Sequence, residues 1–228
     1  MDLKSESERK SYSAKVVIVD YHLGNLFSVQ HACKKTGINA EISSDPTQIR
    51  EADALILPGV GAFGDAMKNA TDLGIVEPVL KSISDGKPFF GICLGMQLLF
   101  DKSEEFGAFQ GLGVIPGIIK KFPYEHEGAS LRVPQIAWNR VTGLNGSAAD
   151  WKNTPLAQVS PGEYMYFVHS YYAQPASETF TICKTNYNGF DYCSGVKKDN
   201  VFAVQYHPEK SGHKGLEMYQ NWAEQNLN

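Results

Sequence analysis

Cys93 has the surroundings in this chain that most favour covalent chemistry. It stands in Gly91-Ile92-Cys93-Leu94-Gly95-Met96-Gln97, after the apolar run Pro88-Phe89-Phe90 and before the run Leu94 to Phe100. Gly-x-Cys-x-Gly between a strand and a helix spells a nucleophile elbow, the cysteine counterpart of Gly-x-Ser-x-Gly. The turn is sharp, and the glycines leave space that a Cβ would fill. The thiol then stands clear of the sheet at a helix N-terminus, whose dipole favours the nucleophilic thiolate. The bland alternative is a buried structural cysteine beside two incidental glycines. Partners elsewhere in the chain weigh against it.

The first partner is His207, in Gln205-Tyr206-His207-Pro208-Glu209-Lys210-Ser211, after the strand-like run Val201-Phe202-Ala203-Val204. A thiol attacking an amide needs a base that later returns the proton to the leaving nitrogen, and imidazole suits both steps. Glu209 can orient that ring and favour its cation. Alone, His-Pro-Glu reads as a surface turn; beside the elbow it reads as the rest of a triad. The second partner is Leu55-Ile56-Leu57-Pro58-Gly59-Val60-Gly61-Ala62-Phe63, a strand running into a glycine-rich loop and helix. Acyl transfer builds charge on a carbonyl oxygen, and backbone N–H groups aimed there lower the barrier. The Leu94 N–H is one natural donor, with a second from the Val60-Gly61 backbone. The loop lacks the Gly-x-Gly-x-x-Gly and Gly-Lys-[Ser/Thr] patterns of nucleotide sites.

Elements that could hold these three segments alternate in the first half. Lys15–Asp20, Ala40–Ser43, Ala54–Leu57 and Pro88–Gly91 read as strands; Asn25–Thr36, Gly64–Ala70, Ile75–Ser84 and Leu94–Phe100 read as helices. That alternation predicts an α/β fold with a mostly parallel central sheet flanked by helices. From about Val114 to Gln205 the pattern turns β-rich, with Asn186-Tyr187-Asn188-Gly189 suited to a hairpin. Lys214 to Asn226 reads as a closing helix. Residues 1–14 read as a disordered lead-in and 15–228 as one domain.

At 228 residues the chain can bury one sizeable core. The net charge of −4, from 25 acidic and 21 basic residues, points to neither nucleic acid nor membrane surface. The longest strongly apolar run, Pro88 to Phe100, is too short to span a bilayer. Cys33, Cys93, Cys183 and Cys193 lack metal-ligand spacing, and a reduced, cytoplasmic setting is expected. A cross-strand Cys183–Cys193 disulfide is the less favoured alternative. No metal or cofactor is expected.

In order and motif, these blocks resemble the class I, or triad, glutamine amidotransferases. Val19-Asp20-Tyr21, Gly24-Asn25-Leu26, Ser103-Glu104-Glu105, Gly111 to Gly117, Tyr166 to Tyr172 and His207 to Ser211 are similar to the glutaminase-subunit family of imidazole glycerol phosphate synthase. The resemblance covers roughly residues 15 to 226. It implies a flavodoxin-like fold, glutamine as substrate, a Cys93-His207-Glu209 triad, and an oxyanion hole from Val60, Gly61 and Leu94. It also implies a glutamine site of Gly59, Gly61, Gln97, Glu105, Ser170 and Tyr171. Gln97 could instead be an exposed helix residue, Glu105 a solvated loop charge, and His169 a satisfied interior histidine. Released ammonia must pass to a neighbour, so a synthase (cyclase) subunit is implied as heterodimer partner, at a face carrying Asn25, Trp138, Asn139 and Lys210. Trp138 could equally be a core residue. The family's usual His-Met-Gly-Trp-Asn block is here Gln135-Ile136-Ala137-Trp138-Asn139. A related glutaminase serving another synthase, such as one modifying a nucleotide sugar, is the alternative. A cysteine protease or isomerase of this fold would not need Gln97 or the His-Pro-Glu-Lys block, and a pseudo-enzyme would have lost a triad member.

Overall fold

A computed structural model gives the structure of residues 11–148 and 151–227. The first half alternates as β1 (Val16–Val19), α1 (Leu26–Lys35), β2 (Ala40–Ser43), α2 (Pro46–Glu51), β3 (Ala54–Gly59), α3 (Phe63–Asp72), α4 (Val76–Ser84), β4 (Phe89–Cys93) and α5 (Leu94–Leu98). Short strands follow: β5 (Phe100–Ser103), β6 (Phe109–Gln110), β7 (Ile115–Lys121), β8 (Glu125–His126) and β9 (Ala129–Ser130). The remainder is β10 (Gln135–Val141), β11 (Glu163–His169), β12 (Tyr171–Pro175), β13 (Thr181–Tyr187), β14 (Phe190–Lys198), β15 (Val201–Val204) and α6 (Gly212–Asn226).

The parallel part of the main sheet has the order β2-β1-β3-β4-β15. That is the flavodoxin-like order, with β15 as its last strand. β14, β12, β7, β5 and β6 extend it, and β13 pairs with β14. β1 is Val-Val-Ile-Val, buried throughout, as a strand covered on both faces must be. Its Val16 and Ile18 join one core layer with Val29 and Cys33 of α1 and Tyr219 and Trp222 of α6. Val17 and Val19 join the opposite layer with Ile49 of α2 and Val79 of α4. β10 and β11 form a separate antiparallel pair.

Three sequence expectations need correction. The helix after the elbow ends at Leu98, and Phe100 starts β5, opposite Ile115 of β7. Pairing with a distant strand overrides the local helical pattern there. The Pro46–Glu51 helix was not anticipated; Asp45 caps it through the Thr47 N–H at 2.8 Å, with Pro46 in its first turn. Residues 1–10 of the expected lead-in lie outside the described residues, but Tyr12 is buried in the core. The expected hairpin is present: Asn188 and Gly189, both at positive φ, link β13 to β14. Cys193 faces Lys184 and Cys183 faces Gly195, and both thiols are free.

Candidate active site

The site lies at the carboxyl edge of β3, β4 and β15, three neighbouring parallel strands. Gly59 is in register with Cys93, and Ile92 with Val204, so the glycine loop, the elbow and the His207 segment emerge side by side. The elbow is tight. A Cβ on Gly95 would lie 1.7 Å from the Leu57 carbonyl oxygen, and one on Gly91 would lie 2.8 Å from Ala203 Cβ. Cys93 takes φ 54° and ψ −111°, a region that side chains avoid. Its helix, Leu94–Leu98, spans one and a half turns, so the dipole it offers is smaller than that of the longer helix expected.

His207 leaves β15 into a short turn, Pro208–Lys210, clamped from two sides. Its N–H donates to the Tyr166 carbonyl at 2.9 Å. The Ser211 hydroxyl donates to the His207 carbonyl at 2.6 Å and accepts the Tyr166 N–H at 3.0 Å. His207 Nδ1 lies 2.8 Å from Glu209 Oε1, with both side chains almost wholly buried. Burial opposes charge on the ring, but the Cys93 sulfur and the Glu209 carboxylate outweigh it and raise the His207 pKa above its ordinary value. Nε2 is buried without a hydrogen-bond partner, as suits a base awaiting a reacting group. By contrast, burial pushes Cys33, Cys183 and Cys193 up, the last to about 11, so they stay thiols at neutral pH.

A cavity of about 400 Å³ opens beside Cys93. Val60, Gly61 and Leu94 line one part, and Gln97, Glu105, Ser170, Tyr171 and Lys210 line others. Gly59 does not reach it: it packs under the loop, where a Cβ would lie 1.7 Å from the Tyr21 hydroxyl. Gln97 is buried, not an exposed helix residue. Glu105 is also buried, and its Oε2 accepts the Phe63 N–H at 2.7 Å, tying the start of α3 to the cavity wall. Desolvation raises its pKa against that bond. His169 is an interior histidine; burial lowers it to about 4, and Nδ1 lies 2.8 Å from the Tyr171 carbonyl.

Trp138 is 52% exposed and meets the Tyr166 ring edge-on at 6.1 Å, so it is no core residue. Tyr166 lies 6.4 Å from the His207 ring, and Lys210 Nζ stands 6.0 Å over Tyr166. A run of aromatic rings thus leads from exposed Trp138 to His207. Asn139 alternates to the other side of β10, where it donates to the Asn186 carbonyl at 2.8 Å and ties β10 to β13 of the hairpin. Asn25 precedes α1, and its Oδ1 accepts the Ser28 hydroxyl at 2.8 Å.

The family described as glutamine amidotransferase class-I matches residues 17–225. The chain belongs to that family. The amidotransferase is 45% identical over 212 residues to the imidazole glycerol phosphate synthase subunit HisH of Geobacter metallireducens, covering 92% of this chain and 98% of that one. It is 42% identical over 209 residues to the HisH subunit of Aquifex aeolicus, covering 91% and 95%. Among solved structures, a glutamine amidotransferase superposes with TM-score 0.69 at 18% identity, covering 92% of this chain and 98% of that one. A chain from the structure of PurLQS from Thermotoga maritima superposes with TM-score 0.70 at 19% identity, with the same coverage. These two support the fold. Among the described residues there is no cluster of His, Cys, Asp or Glu able to hold a metal, and no helix long and apolar enough to cross a membrane.

Two polar residues beside Cys93 and His207 are not singled out by any motif in the sequence. Gln205 Nε2 donates to Cys93 Sγ at 3.6 Å. Ser211 holds the His207 turn to β11, as described above. Both fall inside the block Gln205 to Ser211, but nothing local to that block indicates which way their side chains turn.

Proposed function

We propose that the amidotransferase hydrolyses glutamine to glutamate and ammonia through a Cys93 thioester, as the glutaminase subunit of an imidazole glycerol phosphate synthase in histidine biosynthesis. The observation that carries the chemistry is the meeting of Cys93, His207 and Glu209 at one sheet edge, with a cavity of about 400 Å³ beside Cys93. Kinship to HisH subunits over nearly their whole length carries the pathway.

Glutamine enters the cavity with its side-chain amide at Cys93. His207 takes the thiol proton, and Glu209 holds the imidazolium that results. The sulfur attacks the amide carbon, and the Leu94 N–H with the Val60-Gly61 backbone receives the oxyanion. His207 returns the proton to nitrogen, the C–N bond breaks, and ammonia leaves. Water, with His207 as base, then cleaves the thioester to glutamate. Gln97, Glu105, Ser170, Tyr171 and Gly61 supply the polar groups that orient the amino-acid end of glutamine.

Ammonia then passes to a synthase (cyclase) subunit docked over the Trp138 face. Gln135, one of the departures from the family block, is fully buried beneath that face, while Ile136 and Trp138 are exposed on it. The departure therefore alters the interior and leaves an apolar docking surface in place. The test is glutamate release by the purified chain, alone and with the imidazole glycerol phosphate synthase cyclase subunit and its ribonucleotide ligand. A large rise is expected. No rise, in a folded chain whose Cys93 still reacts with a glutamine-like electrophile, would keep the triad and remove the histidine-pathway partner.

A further inference from the structure

The Gln205 amide has its direction set by its neighbours. Gln97 Nε2 donates to the Tyr171 carbonyl at 3.0 Å and to Gln205 Oε1 at 2.9 Å. A backbone carbonyl can only accept, so Gln97 must present its NH₂ group there. Gln205 must in turn offer its oxygen to Gln97, which leaves its NH₂ group facing Cys93 Sγ at 3.6 Å. Gln205 is fully buried, and its own N–H is held by the Ser194 carbonyl at 3.0 Å. The side chain therefore has little freedom to turn away.

A thiol sulfur is a weak acceptor, whereas a thiolate is a charged one. An N–H held against it favours the charged form. An amide neither gains nor loses a proton here, so Gln205 takes no part in proton transfer. Its effect is on how much Cys93 exists as thiolate and on where the sulfur points.

We propose that Gln205 is a positioning residue that holds the Cys93 thiolate, and that Gln97 locks it in that role. This rests on Cys93 being the nucleophile. Because Gln97 also lines the cavity, the residue that touches the substrate space also holds the one that touches the sulfur.

The test uses the full chain with Gln205→Met, which keeps length and removes the amide, and Gln205→Glu, which keeps shape and replaces the donor with an acceptor. Alkylation of Cys93 by iodoacetamide is followed against pH by peptide mass, together with kcat and KM for glutamine. The alkylation midpoint should rise by about one pH unit in Gln205→Met and further in Gln205→Glu, with roughly tenfold slower labelling at pH values below both midpoints. kcat should fall about tenfold or more while KM moves less than about threefold. A purely structural role would leave the midpoint in place. In the wild-type chain, the Gln205 side-chain amide signals in NMR should titrate with the alkylation midpoint of Cys93, a readout that does not depend on either variant folding. Folded variants with a wild-type midpoint, or amide signals blind to Cys93 ionisation, would overturn the proposal. Glutamine hydrolysis surviving Cys93→Ala would instead overturn the nucleophile assignment beneath it.

Discussion

Replacing Trp138 with alanine separates docking from folding. An aromatic side chain buries on the order of 150–250 Å² when fully covered. Trp138 is 52% exposed in the free chain, so folding covers about 100 Å² and association can cover about as much again. At about 25 cal/mol per Å², each half is worth at most about 2.5 kcal/mol. The free chain should therefore lose no more than about 2.5 kcal/mol in urea denaturation, and the far-UV spectrum should not change. The cyclase complex should weaken measurably in titration calorimetry, by up to about 60-fold, since each 1.4 kcal/mol is about tenfold. Basal glutamine hydrolysis should survive. A stability loss of about 4 kcal/mol, typical of a core tryptophan, with an unchanged complex would refute the reasoning.

Three further outcomes follow from the geometry. Glu209→Gln keeps the shape but cannot stabilise the imidazolium 2.8 Å away; kcat for glutamine hydrolysis should fall about 10²–10⁴-fold, and an activity within a few-fold of wild type would remove Glu209 from the triad. Gly95→Ala drives a Cβ to 1.7 Å from a backbone oxygen of β3; thermal denaturation should show a large loss, and a near-normal melting temperature would mean the elbow relaxes freely. His169 is depressed to about 4 from an ordinary value near 6.5. Its contribution to stability is therefore complete above pH about 6.5 and is lost as pH falls toward 4, up to about 3 kcal/mol. His207 has a raised pKa, so between pH 7 and about 5.5 only its unfolded form gains a proton; that adds a slope of opposite sign, common to wild type and His169→Gln, which cancels in their comparison. Urea titrations from pH 7 to 4.5 should show a steeper loss in wild type than in His169→Gln; equal slopes would contradict this.

Local pattern revealed what local geometry controls. The elbow glycines, the His-Pro-Glu turn, the four early strands and the Asn188-Gly189 hairpin all depend on neighbours in sequence, and all were legible. What was not legible depends on distant partners. Phe100 becomes a strand because Ile115 lies beside it. Gly59 packs against the Tyr21 hydroxyl, and Asn139 turns away from Trp138 to reach Asn186. The direction of the Gln205 amide is set by Gln97, 108 residues earlier. The residues proposed as a triad stand out by type and spacing in the sequence, whereas the hydrogen bond between His207 and Glu209 is visible only in the fold.

The most direct test of the central claim is the mass of the intact chain after exposure to a glutamine-like electrophile, followed by peptide mapping. One adduct is expected, on Cys93, because burial keeps Cys33, Cys183 and Cys193 as thiols; Cys93→Ala should take no label and release no glutamate. An adduct elsewhere, or sustained glutamine hydrolysis by Cys93→Ala, would contradict the account.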